Sequence, residues 1–198
     1  MLLLVAVAAA TIPVRGSETT VTPPAPVARS SAEQQDDIAR LTARRPVIPV
    51  QGAQAKNLID SFIQSRDGGA RAHEALDIPA TRGAPVIAVE DGRIVKLFLS
   101  KPGGITLYQL DPSGQYIYFY GHLDRYADGI TEGMAVKRGQ ILGYVGSSGN
   151  ADPNAPHLHF AIFKLGPEKR WWKGAPINPY PVLRGGASSE NPDLNKGN

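Results

Sequence analysis

The chain has no cysteine. Disulfides and thiolate metal sites are therefore excluded, and any bound ion must be held by histidine and carboxylate. Histidine itself is scarce, with four in 198 residues. Basic runs are short, none longer than a pair such as Arg44-Arg45, and the net charge is only +3. A nucleic-acid surface is not indicated; at most a weak attraction to an anionic polymer follows. Long apolar runs are also missing. The chain opens with Leu2-Leu3-Leu4-Val5-Ala6-Val7-Ala8-Ala9-Ala10, too short for a membrane span of roughly 20 residues. It fits the apolar region of a signal peptide over residues 1–16, although no Lys or Arg precedes Arg15. Export to the periplasm or the exterior is expected, with no stable membrane anchor, since no cysteine follows to carry a lipid.

Glycine (21) and proline (17) are frequent, which suits short strands and turns rather than a helical bundle. Residues 17–30, with Pro23-Pro24-Ala25-Pro26, read as a linker. Ser31 to Arg45 reads as a peripheral helix capped by Ser31 and stopped by Pro46. Val47 to Val50 is a short apolar strand. Ala53 to Ser65 has helical spacing, with Leu58, Ile59, Phe62 and Ile63 on one side. Short strands follow at Val86–Val89, Arg93–Leu99, Ile105–Asp111, Tyr116–Tyr120, Gln140–Val145 and Leu158–Phe163, separated by glycine turns. The expectation is an all-β antiparallel domain over residues 46–184, with short N-terminal helices and a polar, disordered tail from Gly185.

All four histidines fall in short motifs. In Pro156-His157-Leu158-His159-Phe160 the apolar flanks read as a strand, so both imidazoles point to one face. His73 and Asp77 are four apart, too far along a flat strand to share an ion, but a bend between them would bring both to one. The fourth is His122, in Tyr120-Gly121-His122-Leu123. Three His and Asp ligands plus water describe a catalytic zinc site with an open position. The same donors also fit Fe(II).

These motifs together resemble the lysostaphin-like zinc metalloendopeptidases, the family with LytM domains. That pattern is His-x-Gly-x-Asp, a later His-Leu, a glycine-rich stretch and a final His-x-His. It is matched here by His73–Asp77, by His122-Leu123, by Gly133, Gly139, Gly143, Gly146 and Gly149, and by His157-Leu158-His159. The resemblance runs from about Pro46 to Leu183. It implies a two-sheet antiparallel β fold with a groove, and zinc held by His73, Asp77 and His159. It also implies His122 and His157 as unliganded catalytic histidines, and the peptides of bacterial peptidoglycan as substrate. A monomer is expected.

Two departures stand out. Ala75 replaces the family glycine, which would cost roughly 1 kcal/mol if φ there were positive. The loop 150–155 before His157 also differs and is longer, which would reshape the groove. Neither removes a ligand, and loss of a ligand marks the non-catalytic members, which activate other cell-wall enzymes. Such a regulator is the alternative to an endopeptidase; an unrelated metal- or sugar-binding β domain is the third reading. Tyr108, Tyr116, Tyr118, Trp171 and Trp172 are candidates to line the groove.

Overall fold

The computed structural model describes residues 30–69 and 71–186. The expected signal peptide, residues 17–29 of the linker and the tail beyond 186 lie outside the described residues. Helix α1 is Ser31–Ala43. It is capped by Ser30 rather than Ser31: the Ser30 hydroxyl accepts from Glu33 N at 3.2 Å, and the Glu33 carboxylate accepts from Ser30 N at 2.9 Å. This reciprocal box satisfies two amides that the first helical turn leaves without partners.

The strands are β1 (Ser65–Arg66), β2 (Arg71–Ala72), β3 (Leu76–Pro79), β4 (Pro85–Ile87), β5 (Gly92–Ser100) and β6 (Gly104–Leu110). They continue as β7 (Tyr116–Tyr126), β8 (Ala135–Val136), β9 (Ile141–Val145), β10 (His157–Leu165) and β11 (Gly174–Ile177), before helix α2 (Pro179–Gly186). Every pairing is antiparallel, and the main sheet runs β11-β10-β7-β6-β5-β8. The second layer is not separate. β7 passes from the main sheet into it, pairing β10 through Tyr116–Gly121, β6 through Ile117–Leu123 and β9 through Leu123–Tyr126; β9 in turn pairs β4.

Period-two alternation sorts the main sheet. Leu158, Phe160, Ile162, Tyr116, Tyr118, Tyr120, Leu107 and Ile94 point to one face. There they are buried against Val86, Leu142 and Val145 of the second layer. Tyr116 and Tyr118 are thus core residues, not groove residues. Residues of opposite parity, His157, His159, Phe119, Gly121 and Tyr108, lie on the other face.

Residues 53–65 are not a helix. A single 3₁₀ turn at Ala55–Asn57 is followed by irregular chain with a tight turn from Ser61 to Gln64, leaving Ile59 and Ile63 exposed. The Asp60 carboxylate accepts from Phe62 N at 3.0 Å, a local bond that competes with helix. The carbonyls of Phe62 and Gln64 accept from Glu74 N and His73 N, both at 2.8 Å. Tertiary pairing overrides the apolar spacing. Nor does the polar tail begin at Gly185, since Gly185 and Gly186 close α2. A Cβ on Gly185 would lie 2.6 Å from Thr42 Cγ2, so glycine there lets α2 approach α1 closely.

Helix α1, expected to be peripheral, is held down by buried charge. Asp37 accepts from Tyr116 Oη at 2.6 Å and from Lys164 Nζ at 2.7 Å. Arg44 Nη1, just past the helix, reaches Asp111 Oδ2 at 2.8 Å and Glu90 Oε1 at 3.2 Å. Among the described residues no helix is long and apolar enough to cross a membrane.

Candidate metal centre

The bend anticipated between His73 and Asp77 is present. Glu74 takes the left-handed conformation (φ 56°), and β3 then starts at Leu76 and carries Asp77. Ala75 has no positive φ and is fully buried, so the feared strain falls one residue earlier, on an exposed glutamate. Ser61 ties the bend together. Its hydroxyl accepts from Asp77 N at 3.1 Å and donates to Ala75 O at 3.3 Å, while its carbonyl accepts from His73 Nδ1 at 3.0 Å. A carbonyl only accepts, so Nδ1 carries the hydrogen and His73 Nε2 presents a lone pair.

β3 pairs with β10 so that Asp77 stands opposite His159, and β7 lies on the other edge of β10 with Gly121 opposite His159. His73 Nε2, Asp77 Oδ1 and His159 Nδ1 form a triangle with all three edges 3.0 Å. With both rings neutral, at most one hydrogen is available for three contacts. Three lone-pair donors this close suit a cation better than each other. Zinc bonds of about 2.0–2.1 Å set tetrahedral donor spacings of about 3.3 Å, close to this triangle. The His73 bond to a backbone carbonyl is the outer support that metal-binding histidines commonly have. The residues present therefore fit a zinc ion.

Electrostatics favour the ligand forms. Burial would raise the Asp77 carboxyl, but the His159 and His73 rings hold it well below the usual carboxylate range. Burial lowers the His159 imidazole, which favours its neutral form. Arg66, which sequence reasoning missed, places Nη2 2.6 Å from Asp77 Oδ2.

His122 and His157 stand beside the triangle. Their ring centroids are 5.0 Å apart, and His122 is 5.4 Å from His159. Each donates Nδ1–H to a backbone carbonyl, His122 to Ser148 O at 2.8 Å and His157 to Ala155 O at 2.9 Å. Nε2 is left with the lone pair on both. His157 Nε2 lies 3.7 Å from Asp77 Oδ1. Burial pushes His122 down to about 4, so it is neutral near neutral pH. His122 has φ 59°, a conformation that costs a non-glycine residue about 1–3 kcal/mol and clusters at functional sites. It is held by His122 N donating to Gly103 O at 2.8 Å.

Behind it, loops 103–104 and 148–149 touch backbone to backbone. A Cβ on Gly104 would lie 2.3 Å from Ser148 C and 2.5 Å from Gly149 N. The Ser148 hydroxyl joins the two strands, donating to Leu123 O at 2.6 Å and accepting from Ile105 N at 2.9 Å.

The four histidines, Asp77 and Arg66 line one cleft of about 280 Å³, whose wall includes Asn150, Ala151 and Asp152 from the loop before His157. A row of rings leads away from it across the open face: His159 to Phe119 (5.8 Å), Phe119 to Tyr108 (4.9 Å), Tyr108 to Trp171 (4.7 Å) and Trp171 to Trp172 (5.3 Å). Glu74 lies outside the cleft, at a separate pocket.

The family model described as Peptidase family M23 matches residues 71–179. The chain is 37% identical over 122 residues to the L-Ala--D-Glu endopeptidase of Bacillus subtilis, covering 59% of this chain and 36% of that protein. It therefore spans about a third of that relative's length. Among solved structures, the catalytic domain of lysostaphin from Staphylococcus simulans matches with 29% identity and a TM-score of 0.53, covering 66% of this chain and 95% of that one. A putative glycyl-glycine endopeptidase LytM from Ruminococcus gnavus matches with 28% identity and a TM-score of 0.62, covering 77% and 64%. The match spans more than half of the residues and takes in all four histidines and Asp77, and the chain belongs to Peptidase family M23.

Proposed function

We propose that this chain is an exported zinc endopeptidase that hydrolyses peptide bonds in bacterial peptidoglycan. The observation that carries the reading is the 3.0 Å triangle of His73 Nε2, Asp77 Oδ1 and His159 Nδ1, with two further histidines on the same cleft. His73, Asp77 and His159 would hold the ion. When bound, zinc lowers the pKa of a coordinated water toward about 7 and polarises a carbonyl. His122 and His157 present Nε2 as bases and handle the proton, one ring taking it from the attacking water, with its return to the leaving amine. Their Nδ1 bonds to Ser148 O and Ala155 O fix that tautomer and aim each ring. The peptide lies along the open face of the main sheet beside His159, where Gly121 lets the Phe119 ring lie close over the strand.

The test is metal analysis of protein purified without chelator, paired with release of soluble fragments from peptidoglycan. One zinc per chain and release abolished by chelation are expected. Sub-stoichiometric zinc after supplementation overturns the metal assignment. Stoichiometric zinc without release leaves the regulator reading in its place.

A further inference from the structure

Arg66 stands at the edge of the cleft on β1, in a hairpin built for holding rather than packing. Ser65 and Arg66 pair with Ala72 and Arg71. The ladder then continues through His73 N to Gln64 O and Glu74 N to Phe62 O. The strand that delivers Arg66 is thus hydrogen-bonded directly into the bend that delivers His73 and Asp77. Its guanidinium meets Asp77 Oδ2 at 2.6 Å, with side chains 34% and 24% exposed. Asp77 is divided between two tasks: Oδ1 lies at 3.0 Å from both His73 Nε2 and His159 Nδ1, and Oδ2 faces the opposite way, to Arg66.

A cation beside a cation site is electrostatically unfavourable. Its presence calls for a compensating role. Carboxylates bind metals through one oxygen or both, and a chelating carboxylate fills an extra position. A charge-assisted bond to one oxygen is short and directional, and it withholds that oxygen from the ion.

We propose that Arg66 is a positioning residue of the metal centre: it engages Asp77 Oδ2 so that Asp77 offers the ion Oδ1 alone, and the remaining position stays open for water. This rests on the zinc reading above. Outer partners of metal ligands typically change metal affinity or activity 10–100-fold when removed.

The test uses the full chain with zinc and with cobalt(II) as a spectroscopic stand-in. Zinc affinity is measured by chelator competition in wild type, Arg66→Ala, Arg66→Gln and Arg66→Lys, and the thermal midpoint of each metal-free protein is recorded as a control on folding. Arg66→Ala and Arg66→Gln should change zinc affinity by about 10–100-fold. Their cobalt visible bands should weaken as Asp77 becomes free to chelate and the coordination number rises. Arg66→Lys keeps one N–H contact and should restore the wild-type bands. Wild-type affinity and bands in folded Arg66→Gln overturn the proposal, as does tighter zinc binding with unchanged bands, which would make Arg66 only a repelling charge. A wild type that takes up no zinc overturns the zinc reading itself, and this proposal with it.

Discussion

His157 and His159 lie two residues apart on one face of β10, yet their Nδ1 atoms do opposite things. That of His159 stands in the donor triangle, whereas that of His157 donates to Ala155 O. The consequence is a split between metal and chemistry. His159→Ala should lose zinc and activity together. His157→Ala and His122→Ala should keep zinc and lose about 10²–10⁴-fold in rate, the usual loss for a general acid or base. Zinc content and fragment release, measured side by side, check this; zinc retained in His159→Ala but lost in His157→Ala would reverse the ligand assignment. These five side chains were legible because each sits in a short motif of scarce residues. Ser61, Arg66 and Ser148 were not. Ser61 and Ser148 act through backbone contacts and Arg66 through a two-residue hairpin, and no local spacing announces such pairings.

At the scale of elements, strands were legible wherever alternation and a glycine turn coincided, as in β5, β6 and β10. Reading failed where a neighbour decided the conformation. Residues 53–65 have helical spacing, but the carbonyls of Ser61, Phe62 and Gln64 are taken by His73 and Glu74. β7 was expected to stop at Tyr120 and instead runs through His122 to Tyr126. Helix α2 did carry a signal, Asn178-Pro179: Asn178 Oδ1 accepts from Tyr180 N at 2.9 Å and proline occupies the first turn. The contact of loops 103–104 and 148–149 gives a prediction at this scale. Gly104 has φ +66° and no room for a Cβ. Gly104→Ala should destabilise the protein by about 2–4 kcal/mol, adding left-handed strain to overpacking. It should also cost activity without removing a ligand, because the carbonyl that orients His122 belongs to Ser148. Denaturant midpoints and residual zinc content separate these effects. Helix α1 offers a milder case, where Ser30→Ala should cost about 1 kcal/mol.

Across the whole molecule, α1 is joined to the sheet through Arg44, Asp111 and Glu90 rather than through apolar contact alone. Burial pushes the Asp111 carboxyl up, but the Ser113 hydroxyl, the Tyr116 amide and Arg44 outweigh it and leave it below its ordinary 3.8. A carboxyl with a lowered folded pKa stabilises the fold above its unfolded pKa, and that contribution is lost as pH falls through the folded pKa. Stability should therefore drop below about pH 4. Arg44→Ala should cost about 3–5 kcal/mol at neutral pH by leaving buried carboxylates without their cation, and the acid dependence should flatten. Urea unfolding from pH 3 to 7 reads both. The passage of β7 through both layers has a dynamic consequence. A strand hydrogen-bonded in two layers cannot peel from one while the other stays closed, so the two open together. Amide hydrogens of β7 and β10 should exchange only through global unfolding, at one shared free energy. His122 and His159 sit on those strands, so a protease or scavenging chelator would meet the centre through its cleft and not through local fraying.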